Sequence, residues 1–307
     1  MLGTEVCDED FYSPIALFVY DRLAHTKKTI HYLQKNEGAE NSDLYIFSDA
    51  AKDDSRNKSV EEVREYIKTI TGFKSVNIIE RTSNLGLAQN IYDGVTRLCK
   101  ERKKIIVLED DLLTSSSFLF FMNTALRKYD NEKRVWHIAG WNYPISYECE
   151  ENVYLWRMMN CWGWATWWDR WQHYCKEPDR LMKWDAATKK KFNLDGNYDF
   201  FIQVEDNYLK KKDTWAIFWY ATIFENDGLC LNPINTMVKN IGHDGTGVNC
   251  GNKDIFKSKL NDCFQFKWPE DIKENDKYYR LIINFYRKIT PSMIRVIAYK
   301  LKRKLFK

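Results

Sequence analysis

The chain has 307 residues, of which 44% are hydrophobic, 15% aromatic and 29% charged, a composition that excludes a disordered, collagen-like or coiled-coil protein. No apolar run reaches the roughly 18 to 20 residues of a membrane-spanning helix, which excludes an integral helical membrane protein. The formal charge of +4 is unevenly spread, with eight basic residues and no acid in 287–307 and −4 on the remainder; a mildly acidic body does not suit nucleic acid.

In chain order, Ile15-Ala-Leu-Phe-Val-Tyr20 is a short apolar run rich in strand formers and predicts a strand. Ile30 and Leu33 have helical spacing, and Leu44-Tyr-Ile-Phe47 predicts a second strand. A helix is expected to open on the capping box Ser59-Val-Glu-Glu62 and to end at Gly72. Val76-Asn-Ile-Ile79 is strand-like, Leu87 to Lys100 is helical with Ile91, Val95 and Leu98 on one face, and Ile105-Ile-Val-Leu108 predicts a buried strand. Such alternation implies right-handed βαβ units: an α/β fold with a Rossmann-type, mainly parallel sheet flanked by helices.

The alternation breaks near residue 140. Eight of the twelve tryptophans fall between Trp136 and Trp171, followed by helical patterns around Tyr198 to Lys211 and Trp215 to Phe224. Leu229-Cys-Leu is strand-like, Asn240-Ile-Gly-His-Asp-Gly-Thr-Gly247 is glycine-rich, and the chain after Trp268 is helical by pattern. The eight cysteines are scattered without a C-x-x-C pair, so reduced thiols are expected. Met1 to Asp10 lacks a signal-peptide layout, so the expected location is the cytosol.

Glu109-Asp110-Asp111 follows the last of these strands. In open α/β sheets ligands bind beyond the carboxyl ends of the strands, and three adjacent carboxylates need a cation or donors to compensate them. Oxygen ligands suit Mn2+ or Mg2+, which in turn suit a diphosphate. A solvated acidic turn is the bland alternative. Arg22 stands at the first strand's end, where its fork can meet phosphate oxygens. Asp49 stands at the second, where it can accept from a ribose hydroxyl or a base N–H, or simply serve a turn. Most of the tryptophans are expected in the core, with Trp162-Gly163-Trp164 the part that faces a ligand, since aromatic faces stack on sugar rings. The glycines around His243 and Asp244 suit a loop that closes over phosphate.

Tyr20-Asp-Arg22, Phe47-Ser-Asp49, Asn84-Leu-Gly-Leu-Ala-Gln-Asn90, Ile106-Val-Leu-Glu-Asp-Asp-Leu112, Trp162-Gly-Trp-Ala-Thr-Trp167, Asp213-Thr-Trp-Ala-Ile-Phe-Trp219 and Val238-Lys-Asn-Ile-Gly-His-Asp-Gly-Thr-Gly247 occur in that order. The series, over residues 14 to 250, resembles bacterial nucleotide-sugar glycosyltransferases of GT-A fold and is similar to the N-acetylglucosaminyltransferase I family. The resemblance implies Asp111 as the ligand of Mn2+ (or Mg2+), and Asp110 and Glu109 on the sugar and ribose side of a nucleotide-sugar donor. It further implies Arg22 near the phosphates, Asp49 near a uracil, Asn84, Trp162, Gly163, Trp164, His243 and Asp244 among the donor contacts, and the loop Asn240 to Gly247 ordering over the donor. The family's catalytic aspartate lies in a Trp-Asp-Asp-Trp stretch whose counterpart here is Trp215-Ala-Ile-Phe218, without an acid; Asp213, then Glu205, are the substitutes.

Residues 11–255 are thus expected to form a glycosyltransferase domain, with a donor half at 11–140 and an acceptor half at 141–255, and 256–307 a helical, basic extension. The expected reaction is inverting, metal-dependent transfer from a UDP-sugar to a hydroxyl of a glycan or lipid-linked acceptor in surface-polysaccharide or glycoconjugate synthesis. Met293 to Phe306 places Ile294, Ile297, Ala298, Leu301 and Leu305 on one face among cations. This suits a helix on an anionic membrane surface at the inner face of the cell membrane, or one docked on its own domain. A non-catalytic sugar-nucleotide or carbohydrate-binding protein is one rival; a sugar nucleotidylyltransferase is another, although the glycine-rich basic signature it needs after the first strand is missing.

Overall fold

A computed structural model describes residues 11–145, 151–245, 256 and 259–289. The first half is β1 (Ile15–Val19), α1 (Leu23–Leu33), β2 (Asp43–Ser48), α2 (Asn57–Ile67), β3 (Ser75–Glu80), α3 (Gly86–Arg102) and β4 (Lys104–Glu109). Then come β5 (Leu112–Thr114), α4 (Phe118–Lys128), β6 (Val135–Ala139), β7 (Val153–Trp156), β8 (Trp164–Trp167) and α5 (Trp168–Trp171). The remainder is α6 (Pro178–Met182), α7 (Ala186–Phe192), α8 (Phe201–Tyr208), α9 (Ala216–Glu225), β9 (Leu229–Pro233), β10 (Val238–Asn240) and α10 (Asp276–Ile289).

Among the described residues eight strands form one sheet in the order β3-β2-β1-β4-β8-β6-β9-β7. The first four are mutually parallel, β6 and β9 pair parallel, and β8 and β7 run against their neighbours. The fold is therefore mixed α/β with a large, mainly parallel sheet flanked by helices, as the alternation predicts. Every residue of β1 is buried, as are Ile105 to Leu108 of β4, so these central strands read as continuous apolar runs. Each such large side chain contributes roughly 1.5–3 kcal/mol by leaving water.

Two local expectations fail. Helix α2 begins upstream of the capping box, because Asp53 accepts from the Ser55 N–H and sets a 3-10 turn that leads straight into Asn57. Ser59 Oγ instead donates to the Arg56 carbonyl at 3.0 Å, and the helix stops at Ile67, leaving Gly72 at φ +87° in the turn before β3.

The second half supplies an aromatic core. Trp164 stacks on Trp215 at 5.2 Å and on His137 at 5.4 Å, and Trp171 meets Trp219 at 4.9 Å. Helix α10 docks on the edge strand β7, burying Tyr278, Ile282, Ile283 and Tyr286, with Tyr278 stacked on Tyr154 at 4.0 Å. The basic stretch 290–307, and with it the membrane-helix expectation, lies outside the described residues. Among the described residues no helix is long and apolar enough to cross a membrane.

Candidate active site

The sheet order reverses its direction of growth between β1 and β4: the chain builds β2 and β3 on one side of β1, then returns to place β4 on the other. Crossover helices leave such a junction on opposite faces, opening a crevice beyond the carboxyl ends of the two strands. Arg22 follows β1 there, and Glu109 to Asp111 end β4. Arg22 Nη2 donates to Asp110 Oδ1 and, at 2.9 Å, to Asp111 Oδ2. The Asp110 carbonyl is held by Thr29 Oγ1 of α1 at 2.7 Å.

Asp110 and Asp111 are 4% and 6% exposed, too dry for an acidic turn kept cheap by water. Burial, then the charges of Asp111 and Asp110, push the Glu109 carboxyl up to about 8. Burial pushes Asp110 up to about 7, with the Arg22 guanidinium opposing. One arginine does not compensate three carboxylates, and Asp110 Oδ2 is buried without a hydrogen-bond partner.

A two-stranded ribbon that sequence periodicity did not reveal delivers the covering loop. β5 starts one residue after Asp111 and pairs antiparallel with β10, Leu112 opposite Asn240. Ile241 N–H donates to the Asp111 carbonyl at 2.9 Å, and Gly242 N–H to Asn240 Oδ1 at 2.7 Å. Gly242 then lies so close that a Cβ on it would fall 2.2 Å from Asp111 Oδ2. Further on, Asp244 Oδ2 pairs with His25 Nε2 of α1 at 3.1 Å. The His243 ring meets Trp162 edge-on at 5.5 Å, and both its nitrogens are buried without a hydrogen-bond partner. Trp162, Trp141 and Phe256 continue this aromatic wall.

The residues singled out from sequence therefore divide. Arg22, Glu109, Asp110, Asp111 and the loop carrying His243 and Asp244 come together, with Trp162 against His243. Asp49 and Asn84 meet one another, and Asp49 has a structural role that the uracil expectation did not include. Asp49 accepts from the N–H groups of Ala50, Leu85 and Gly86, each at 2.9 Å, and from Asn84 Nδ2 at 3.2 Å. Its oxygens are taken up in holding the start of α3 to the end of β2.

Trp164 and Gly163 serve the packing of the core. Gly163 adopts φ +65°, which breaks the strand alternation, so Trp162 points to the loop while Trp164, 1% exposed, points into the core. Gly163 is required by packing, since a Cβ there would lie 2.9 Å from Val238 Cγ2 and 3.1 Å from Phe118 Cε2. Asp213 is a surface carboxylate, its side chain 69% exposed and paired with Lys176. Glu205 is on α8, which packs against α6 and α9.

Among the described residues no three His, Cys, Asp or Glu side chains converge as a metal cage. The donor set nonetheless fits an ion shared with a substrate: one or two carboxylates plus phosphate oxygens is the usual arrangement for such cations. The unsatisfied Asp110 Oδ2 is the acceptor left over for it.

No protein-family model matches the chain, and no curated protein matches it. Among solved structures it is similar to the mannosyltransferase PcManGT from Pyrobaculum calidifontis in complex with GDP-Man and Mn2+, with 9% identity and a TM-score of 0.36 over 73% of each chain. It is also similar to TarS of S. aureus, with 9% identity and a TM-score of 0.32 over 46% of this chain and 24% of TarS. The chain thus spans about a quarter of TarS.

Proposed function

We propose that the chain is a metal-dependent glycosyltransferase that moves a sugar from a nucleotide-sugar, UDP-linked by the resemblance, to a hydroxyl of a glycan or lipid-linked acceptor, with inversion. The observation that carries this reading is the buried, under-compensated carboxylate cluster at the β1/β4 switch point. A further support is the ordered set of motifs in the sequence. Residues 11–140 then form the donor half and 141–255 the acceptor half.

Asp111, with Asp110 beside it, would hold Mn2+ or Mg2+. When bound, such an ion supplies Lewis-acid neutralisation of a leaving diphosphate. The chain's own residues do the rest. Arg22 offers a guanidinium to phosphate oxygens. The loop after β10 covers the cluster and limits water, and Trp162, backed by the buried Trp141, presents an aromatic face to a sugar.

A second reading, a sugar-nucleotide binder without turnover, is favoured by Ala216, which opens α9 where the resemblance calls for an acid, and by the surface pairing of Asp213. Release of UDP from a panel of UDP-sugars, with Mn2+ against EDTA, decides between them. Slow hydrolysis that requires Mn2+ supports the transferase. Stabilisation by the donor without any UDP release supports the binder.

A further inference from the structure

Arg22 holds its two carboxylates in an unusual way. A guanidinium normally meets a carboxylate with two parallel N–H bonds, but here the single nitrogen Nη2 serves both Asp110 and Asp111. The other terminal nitrogen, Nη1, is buried without a partner, and so is Asp110 Oδ2. One donor and one acceptor are thus left over within a contact that has the parts to satisfy both. Such a contact is under-bonded, as expected of a counter-ion meant to leave.

The local backbone lets it leave. Arg22 is the N-cap residue of α1 at φ −108° and ψ 73°, outside the helix proper, and its carbonyl, not its side chain, takes the Thr26 bonds. Its side chain is 18% exposed, so it can swing outward while α1 keeps its first turn. Two neighbouring groups are otherwise engaged: Asp21 with Arg56, and the His25 ring with Asp244. The oxygens that Arg22 releases are hard anionic ligands, for which a doubly charged ion outcompetes a singly charged one.

We propose that Arg22 and a divalent cation exchange at Asp110 and Asp111. The guanidinium holds the carboxylates until the ion enters. The ion expels it, and the expelled guanidinium becomes a phosphate ligand at the same crevice. The inference rests on the metal reading above and adds an order to it, with the ion entering before the diphosphate.

The test follows Mn2+ alone binding to the whole protein by water-proton relaxation, in wild type, Arg22→Gln and Arg22→Lys. Arg22→Gln removes the competitor, so Mn2+ affinity should rise roughly tenfold or more. Arg22→Lys, a compact point charge that cannot fork, should fall between the two. UDP added to the Mn2+-loaded proteins should bind several-fold more weakly to Arg22→Gln than to wild type, and equal UDP affinity would overturn the transfer of Arg22 to phosphate. Mn2+ binding to wild type that Arg22→Gln leaves unchanged or weakens overturns the exchange alone. Absence of Mn2+ binding to all three proteins overturns the exchange and the metal reading together. If Arg22→Gln does not fold by circular dichroism, Arg22→Lys against wild type decides: higher affinity supports the exchange, and equal or lower affinity overturns it.

Discussion

Gly242 and His137 show how single residues set the chemistry and the stability of this chain. Replacing Gly242 by alanine would put a methyl group 2.2 Å from Asp111 Oδ2, so the loop or the carboxylate must shift. Mn2+ affinity of Gly242→Ala is expected to fall roughly tenfold with little change in melting temperature, since the displaced loop buries few apolar atoms. Relaxation titration beside thermal unfolding checks both; unchanged affinity would show that the carboxylate can yield. His137 lies in the tryptophan core, where it accepts from Trp219 Nε1 at Nδ1 and so carries its proton at Nε2, donating to the Asn160 carbonyl at 2.9 Å. Burial lowers its pKa to about 3, with the Asn160 bond opposing. Its neutral form is favoured on folding, so its contribution is complete above the unfolded value near 6.5 and is lost as pH falls towards 3. The loss is on the order of 4 kcal/mol at pH 3. Denaturant unfolding from pH 7 to 3 should show this decline in wild type and a shallower one in His137→Gln.

At the scale of elements, the strap that Asp49 makes between β2 and α3 is worth testing against the nucleotide role first expected of it. Asp49→Ala removes the acceptor for three backbone N–H groups. It should cost about 1–2 kcal/mol, the upper range for a lost helix cap, seen as a lower denaturation midpoint at unchanged slope; undiminished stability would return Asp49 to the ligand. Strands β1 and β4 were legible because buried parallel strands are apolar at nearly every position, and β2 and β3 because they concentrate strand-forming residues. The acidic triplet was legible because carboxylates are conspicuous straight after such a run. The ribbon of β5 and β10 was not, since three-residue strands carry too few positions for a period and pair residues far apart in the chain. The capping box at Ser59 misled because a competing turn at Asp53 to Arg56 starts the helix earlier. Trp164 misled because its partners, Trp215 and Trp219, come from α9 and its N-terminal boundary, which no local pattern ties to β8.

Across the whole molecule, one sheet carries both a parallel half and a mixed half, and the chemistry gathers where the parallel half reverses its order of growth. The first half supplies the charged groups, Arg22 and Glu109 to Asp111, while the second supplies the loop after β10 and the aromatic wall of Trp141 and Trp162. Arg22 and the members of the acidic cluster were legible in the sequence, but not the pairing of Arg22 with Asp110 and Asp111, nor the glycine pressed on Asp111, because both depend on contacts between distant segments. The central claim is that this cluster binds a nucleotide diphosphate through a divalent ion. Calorimetric titration of UDP into wild type and Asp111→Asn, each with Mn2+ and with EDTA, tests it most directly. Wild type should bind UDP only with Mn2+, and Asp111→Asn at least roughly tenfold more weakly; equal UDP binding in EDTA, or in the variant, would contradict a metal-bridged diphosphate.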